Sequence, residues 1–152
     1  MSDSDSLLHE AAAARMRLIV LGISKEVDFR LREHRLTLVQ RRALMLLSER
    51  RVLTPGELSL ALPMDSGSTT RMLDRLVAKR MCLRFADNTD RRVVRIAITE
   101  LGCRAIEKSK GAVPAVLAEW FAGVAHDLKT LEQALATMLF ARRGPAALAS
   151  TV

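Results

Sequence analysis

Two arginines, Arg71 and Arg75, stand four residues apart in a segment that also carries Ser66, Ser68 and Thr70. A guanidinium group can donate two hydrogen bonds to one guanine, and small side chains allow a helix backbone to approach the edges of base pairs. Residues four apart lie on one face of a helix. The segment therefore predicts a surface that reads DNA bases.

The apolar residues of this segment recur at helical spacing. They stand at i, i+3, i+4, i+7 and i+8, counting the methyl group of threonine: Thr69, Met72, Leu73, Leu76 and Val77. We therefore predict an amphipathic helix over 66–80, with Asp65 or Ser66 as its N-cap. Taken alone, the pattern fits an ordinary solvated surface helix equally well.

The segment immediately after this helix favours the DNA-binding interpretation. Residues 82–86 and 93–98 have the pattern of two short strands, and the polar segment 87–92 between them predicts a β-hairpin. The hairpin carries Arg84, Asp90, Arg91 and Arg92. We predict that the arginines at the tip reach a minor groove, with Arg92 the first candidate. An acid at such a surface needs a local role, so we expect Asp90 to hold an arginine side chain or the turn backbone.

The residues before the predicted helix supply the rest of a helix-turn-helix. Thr37 and Gln40 form one capping-box pattern, and Thr54 and Glu57 form a second one with Pro55 between them. The first opens a helix that closes near residue 51, and the second opens a short helix that Pro63 stops near residue 62. In the first of these helices we expect four residues to face inward: Val39, Ala43, Leu46 and Leu47.

Long apolar helices are predicted at both ends of the chain. The first spans 7–33, and the last spans 126–143 before Gly144 and Pro145. A further helix begins after Thr99, with a break near 111–114. Leu131 and Leu135 belong to a helix-pairing seam in the last helix. These surfaces indicate an oligomer, although a buried core helix would explain the first one too.

Three motifs resemble the MarR family of bacterial transcription regulators. They are the helix segment 70–77, the turn residues 90–92 and the stretch 98–102, within a motif-bearing region of about 36–102. One departure is Arg80, where the family usually has a glycine. The resemblance implies a mainly α (α+β) fold: a winged helix-turn-helix core with N- and C-terminal dimerisation helices.

The resemblance also implies a domain plan and partners. The plan is a dimerisation helix over 1–35, a DNA-binding domain over 36–99, dimerisation helices over 100–143 and a flexible tail over 144–152. The implied partners are double-stranded DNA, in the form of a palindromic operator, and a second copy of the chain. The family mechanism is a repressor released by a small-molecule effector, often an aromatic carboxylate. Candidate ligand-binding residues are Arg30, His34 and Arg35.

The composition of the chain also favours a protein that binds an anionic partner. The chain has 152 residues and a net charge of +7, with a pI near 10.4, which favours an anionic partner. We expect a cytoplasmic protein without a signal peptide or a membrane span, and with reduced thiols. No catalytic, metal-binding or phosphate-loop motif is recognisable, so we expect neither an enzyme nor a cofactor. The remaining alternative is a winged-helix protein-interaction module that does not bind DNA.

The positions of the two cysteines, Cys82 and Cys103, do not match one mechanism of the family, which is therefore not carried over to this chain. Thiol-based peroxide sensors of the MarR family carry their reactive cysteine near the N-terminus, and this chain has none before residue 82. We interpret Cys82 as a small buried apolar residue.

Overall fold

The computed structural model describes residues 3–62 and 64–143. The chain divides into two compact units, Met1–Val116 and Leu117–Val152. The described α-helices are α1 Asp3–Leu31, α2 Leu38–Arg50, α3 Pro55–Ala61, α4 Ser66–Ala78, α5 Glu100–Lys108, α6 Ala112–Phe121 and α7 Leu128–Arg143. Short 3₁₀ helices occupy Arg32–His34 and Ala122–Val124, and the strands are β1 Val52–Leu53, β2 Cys82–Ala86 and β3 Val94–Ile98. The stops assigned to Pro63, Gly144 and Pro145, and the tail 144–152, lie outside the described residues.

The predicted helix starts are confirmed by their capping bonds. Thr37 accepts a hydrogen bond from the backbone N–H of Gln40, whose side chain accepts one from the Thr37 N–H, both at 3.3 Å. Thr54 and Glu57 make the same reciprocal pair at 3.2 and 2.7 Å. These bonds satisfy N–H groups that the first turn leaves without helical partners. They fix where α2 and α3 begin.

The apolar face of α4 lies in the core of the first unit, as predicted. Thr69 is buried, and Met72, Leu73 and Leu76 share one cluster with residues of α2, α3 and β3, including Leu44, Leu47, Leu58 and Ile96. Each fully buried leucine stabilises the fold by about 1.5–3 kcal/mol relative to exposure. The polar face of α4 is therefore held outward by the burial of the opposite face.

One inward-facing assignment was wrong. Val39 is 39% exposed, whereas Gln40 is 4% exposed and Leu44 is fully buried. Gln40 turns inward because its side-chain oxygen accepts hydrogen bonds from the Thr37 N–H and, at 2.9 Å, from Lys79 Nζ. Satisfying that amide inside the fold places Val39 at the surface.

The sheet has a third strand that the sequence did not predict. Its order is β1-β3-β2, and both neighbouring pairs are antiparallel. The predicted hairpin of β2 and β3 is confirmed, with Cys82 opposite Ile98 and Ala86 opposite Val94. The two residues of β1 are too few to show an alternating pattern. They extend the hairpin into a three-stranded wing, and the mainly helical winged helix-turn-helix class is confirmed.

A tight contact joins the end of α4 to the start of α5. Arg80 adopts the left-handed backbone conformation, with φ of 59°, at the position where the family usually has glycine. The Thr99 hydroxyl donates to the Arg80 carbonyl at 2.7 Å and also caps α5. A Cβ on Gly102 would lie 2.2 Å from the Met81 carbonyl oxygen. Only glycine permits this approach, which explains its place in the 98–102 motif.

In the second unit, α7 presents an open apolar groove. The groove is lined by residues before and within α7, among them Leu117, Phe121, Leu128, Leu131, Leu135 and Leu139. Leu131 and Leu135 remain 37% and 36% exposed. Among the described residues, no helix is long and apolar enough to cross a membrane.

Candidate nucleic-acid interface

The exposed face of α4 forms one wall of a surface groove. Arg71 and Arg75 are exposed and lie along this groove with Ser68. The opposite wall includes Thr37 and Val39 at the start of α2. The sequence did not place these last two residues at the candidate site, because Thr37 was assigned as a helix cap and Val39 as a core residue. The groove is thus a cationic helix face beside a second helix start.

The start of α4 is organised around the carboxylate of Asp65. One carboxylate oxygen accepts a hydrogen bond from the Ser68 backbone N–H at 2.8 Å, and the other accepts one from the Ser68 hydroxyl at 2.7 Å. These bonds lower the pKa of Asp65. Asp65 is therefore the N-cap, as predicted, and its charge also complements the helix dipole.

Arg71 is tied to the same cluster. Its Nη2 donates to the Ser68 hydroxyl oxygen at 3.2 Å. A Cβ on Gly67 would lie 3.2 Å from Asp65 Oδ1 and 3.8 Å from Arg71 Nη1. The small residue at position 67 leaves space beside both groups. The other hydroxyl of this face, on Thr70, donates to the Ser66 carbonyl at 2.9 Å.

Arg84 connects β2 to α4. Its Nη1 lies 2.5 Å from an Asp74 carboxylate oxygen, and its Nη2 donates to the Thr70 carbonyl at 3.4 Å. The sequence assigned Arg84 to the DNA-binding wing. Its guanidinium group is directed at α4, so it holds the base of the wing against that helix.

The turn of the wing is held mainly by Asp87, a residue that the sequence did not single out. Its carboxylate accepts hydrogen bonds from the Thr89 N–H and hydroxyl at 2.9 and 2.5 Å, and from the Asp90 N–H at 3.2 Å. Its second oxygen lies 2.7 Å from Arg95 Nε. The Thr89 hydrogen bonds are the first cause of a strongly lowered pKa at Asp87, followed by the bond to Arg95. The carboxylate therefore stays ionised in mildly acidic solution.

Asp90 has the smaller of the two roles predicted for it. Its Oδ1 accepts a hydrogen bond from the Arg92 backbone N–H at 2.9 Å, which shapes the turn. The side chains of Arg91 and Arg92 are exposed at the tip. The arginine side chain that a wing carboxylate does hold is Arg95, and its partner is Asp87.

Lys79 is turned away from the exposed face of α4. Its Nζ donates to the Arg35 carbonyl at 2.6 Å and to the Gln40 side chain at 2.9 Å. Burial lowers the pKa of Lys79, and the charges of Arg35 and Arg75 lower it further. The C-terminal end of α4 is thereby bonded to the segment between α1 and α2.

His34 and Arg35 line a small cleft on that segment. The other lining residues are Glu33, Met81, Leu101, Arg104, Ala105 and Lys108. The sequence grouped Arg30 with His34 and Arg35, but Arg30 is not among the lining residues and lies 3.7 Å from Glu26. The cleft combines cationic side chains from two segments with an apolar floor, although Glu33 lies 3.2 Å from His34 Nε2 and Arg104 is paired with Glu100. Arg104 and Lys108 could be found only in the structure.

The two thiols differ in setting. Cys82 is buried and Cys103 is exposed. Burial raises the pKa of Cys82 to about 11, so its thiol is protonated at neutral pH, as expected of a core residue. Within residues 3–62 and 64–143, no group of three or more histidine, cysteine or acidic side chains could hold a metal ion.

Comparisons with known proteins match a family model, a relative and solved structures. The model of the MarR family matches residues 36–94. Over 104 residues the chain is 35% identical to the organic hydroperoxide resistance transcriptional regulator of Bacillus subtilis (strain 168), covering 68% of this chain and 70% of that protein. A crystal structure of a MarR mutant from E. coli complexed with operator DNA is 25% identical, with a TM-score of 0.77 over 91% of this chain and 99% of that one. The reduced form of E. coli MarR is 28% identical, with a TM-score of 0.74 over 84% and 95%.

Proposed function

Since this chain belongs to the MarR family of transcription regulators, we propose that it represses transcription by binding a pseudo-palindromic operator in double-stranded DNA as a homodimer. The observation that carries the proposal is the exposed, capped start of α4 with Arg71 bonded to it. A helix that enters the major groove reads bases with its N-terminal residues. A two-fold dimer would present two such helices to two half-sites.

We assign roles to the interface residues on this basis. Ser66, Ser68, Thr70, Arg71 and Arg75 face the major groove, with Arg71 as the base reader and Arg75 at a base or a phosphate. Arg91 and Arg92 reach the adjacent minor groove, where the negative potential is high. Asp90 shapes the turn, and Arg84 supports the wing through Asp74.

We assign DNA binding and dimer formation to different parts of the chain. Residues 36–99 carry DNA binding, while 1–35 and 100–143 form the dimer. In support of this, α1 exposes apolar side chains such as Leu18, Val20 and Leu21, and the α7 groove is apolar. A second copy would bury these surfaces, which are costly to leave in water.

We further propose that an effector releases the DNA by binding at the cleft of His34 and Arg35. Its cations and apolar floor suit a small aromatic carboxylate. Arg35 also bonds Lys79 through its carbonyl oxygen, and Met81 lies just beyond the end of α4. A ligand there would weaken DNA binding if it prefers an arrangement in which α4 is displaced.

The first experiment is a gel shift with DNA from upstream of the protein's own gene, against unrelated DNA of equal length. A retarded band that survives excess unrelated competitor supports the proposal. Binding that the competitor abolishes, or no binding at all, contradicts sequence-specific repression. Either of these two results would favour the alternative, a winged-helix module that binds an acidic protein.

The effector is tested with benzoate as the probe. Titrating it into the protein–operator complex should release DNA, and Arg35→Ala should raise the concentration required. Arg30→Ala is the matched control, because Arg30 does not line the cleft. Release that depends on Arg30 but not on Arg35 would place the effector elsewhere.

A further inference from the structure

We infer that Ser68 and Asp65 act as positioning residues for base reading, by holding the Arg71 guanidinium group in a fixed orientation. The inference deepens the proposed function and rests on it. It separates Ser68 from the residues that contact DNA themselves. The juxtaposition that carries it is the continuous set of hydrogen bonds from Asp65 through the Ser68 hydroxyl to Arg71 Nη2.

The direction of these bonds defines what Ser68 can do. A hydroxyl group has one hydrogen to donate and two lone pairs. The Ser68 hydrogen is donated to Asp65 at 2.7 Å, and a lone pair accepts from Arg71 at 3.2 Å. The hydroxyl therefore has no hydrogen left for a phosphate oxygen or a base acceptor. Its remaining function is to orient the arginine.

Asp65 fixes the orientation of the hydroxyl. Its two carboxylate oxygens are divided between the Ser68 N–H and the Ser68 hydroxyl, so the serine side chain is held in one rotamer. Gly67 leaves room beside both Asp65 and Arg71. The backbone bond from Ser68 is the ordinary N-cap contact, whereas the bonds through the Ser68 hydroxyl to Asp65 and Arg71 go beyond it.

Holding the arginine in place has a physical benefit. A free arginine side chain loses rotamer freedom when it docks on a base, and pre-orientation reduces that loss. The gain appears only at the base pair that Arg71 contacts. Removing the hydroxyl should therefore change sequence preference, whereas a loss of helix stability would weaken binding to all DNA.

The experiment measures affinity for the operator and for operators with single base pairs replaced. Ser68→Ala keeps the backbone N–H that Asp65 caps, so the helix start is preserved. We expect it to lower the preference for the cognate base pair roughly three- to tenfold, the effect of one hydrogen bond. The loss should fall at the same base pair as that of Arg71→Ala. Asp65→Ser, which keeps a capping oxygen but lacks the second one, should behave like Ser68→Ala.

The double variant Ser68→Ala/Arg71→Lys separates positioning from direct contact. Lysine keeps the positive charge but lacks the paired N–H donors of the guanidinium group. Ser68→Ala should therefore cause no further loss of preference in the Arg71→Lys background. Ser59→Ala is the control, because it removes a hydroxyl that donates to the Met64 carbonyl and lies outside this cluster.

Four results would overturn the inference. Additive losses from Ser68→Ala and Arg71→Lys, or a loss at a different base pair, would make Ser68 a DNA contact in its own right. Full preference in Ser68→Ala alongside lost preference in Arg71→Ala would refute the positioning role and leave the proposed function intact. Full preference in Arg71→Ala would refute both the positioning role and base reading by Arg71, while sequence-specific operator binding would still stand.

Discussion

Arg71 and Arg92 are both exposed arginines, yet they make different contacts, which suit the different roles we propose for them. Arg71 donates a hydrogen bond to the Ser68 hydroxyl beside the helix cap, so its guanidinium group has a defined direction. At Arg92 the contact in the turn is made by the backbone N–H, which donates to Asp90. Guanidinium N–H donors held in one orientation suit hydrogen bonding to one base. A cation on an exposed turn suits attraction to the negative potential of the sugar-phosphate backbone and minor groove.

The first prediction concerns Arg71. Arg71→Ala should cost about 1–3 kcal/mol of binding free energy on the cognate operator and should relax the preference at one base pair. Fluorescence anisotropy with cognate and random DNA measures both effects. Arg50→Ala, an exposed arginine at the end of α2, controls for the loss of one charge. Equal weakening on cognate and random DNA would refute the base-reading role.

The second prediction concerns the thiols. Iodoacetamide at pH 8 should alkylate Cys103 quickly and leave Cys82 unmodified until the protein unfolds. The reason is that Cys82 is buried and its pKa is raised to about 11, so little thiolate is present. Mass spectrometry of tryptic peptides measures each site, and Cys103→Ser provides the control with a single slow thiol. Rapid labelling of Cys82 in the folded protein would show that β2 opens.

At the scale of elements, α4, the wing and α5 are joined by short polar contacts rather than by the core alone. Arg84 links β2 to Asp74 of α4, and Thr99 links the start of α5 to Arg80. Lys79 links the other side of α4 to Arg35. The helix α4 is thus held by its neighbours from Thr70 to its C-terminal end, while the side chains of Ser66 and Arg71 remain exposed.

The third prediction tests the turn after α4. Arg80→Gly should stabilise the protein by about 0.5–1 kcal/mol, because a left-handed residue costs an arginine energy that glycine avoids, less the entropy of a freer unfolded chain. Urea unfolding at fixed protein concentration measures the change. Arg80→Ala removes the same charge but keeps the Cβ, so it should not stabilise. If alanine stabilised as much as glycine, charge rather than backbone strain would be responsible.

The fourth prediction concerns the tip of the wing. Arg92→Ala should weaken binding to specific and non-specific DNA alike, because the proposed minor-groove contact of Arg92 is an attraction of its charge to the phosphate-lined groove and not a reading of one base. It should also flatten the slope of log K against log salt by about one unit. A salt series for each DNA measures the slope. An unchanged slope would place Arg92 away from the DNA.

Asp90→Ala is the companion to that measurement. Simple electrostatics predicts tighter binding when an acid is removed from a DNA surface, whereas loss of the hydrogen bond to the Arg92 N–H predicts weaker binding. We expect weaker binding, but a smaller loss than in Asp87→Ala, because Asp87 holds more of the turn. Tighter binding by Asp90→Ala with an unchanged oligomeric state would reject its shaping role.

At the scale of the whole molecule, the proposed function depends on a second copy. A single wing and α4 can cover one half-site, and affinity for a palindrome comes from two of them held at one helical repeat. The apolar groove lined by Leu131 and Leu135 is the surface in the second unit that a second copy would cover. Charged substitutions in this groove should therefore weaken DNA binding, although the DNA-facing residues themselves are unchanged.

The fifth prediction tests that dependence. Leu131→Glu/Leu135→Glu, or deletion of residues 1–20, should give monomer or aggregate with little operator binding, because the glutamates would be buried without partners. Light scattering measures the mass, and anisotropy measures the binding. Gln133→Glu adds a charge to the same helix at an exposed polar position and should leave the dimer intact. A soluble monomer in the unmodified protein would refute the dimer and the palindromic operator together.

The sequence by itself determined the features that depend on neighbours a few residues apart. Capping boxes at Thr37 and Thr54, the N-cap at Asp65 and the apolar face of α4 all arise from contacts within one or two helical turns. The hairpin of β2 and β3 was predictable for the same reason, since a polar turn joins two adjacent short strands.

The tertiary structure alone decided the features whose partners are far apart in the chain. Lys79 donates hydrogen bonds to Arg35 and Gln40, which stand 44 and 39 positions earlier in the chain. With this bond Gln40 faces inward, and Val39 faces outward. β1 exists only because β3 offers it an edge, and the cleft at Arg35 is completed by Arg104 and Lys108 of α5. Periodicity cannot reveal such pairs, because it records which face of an element is apolar and not which distant group that element meets.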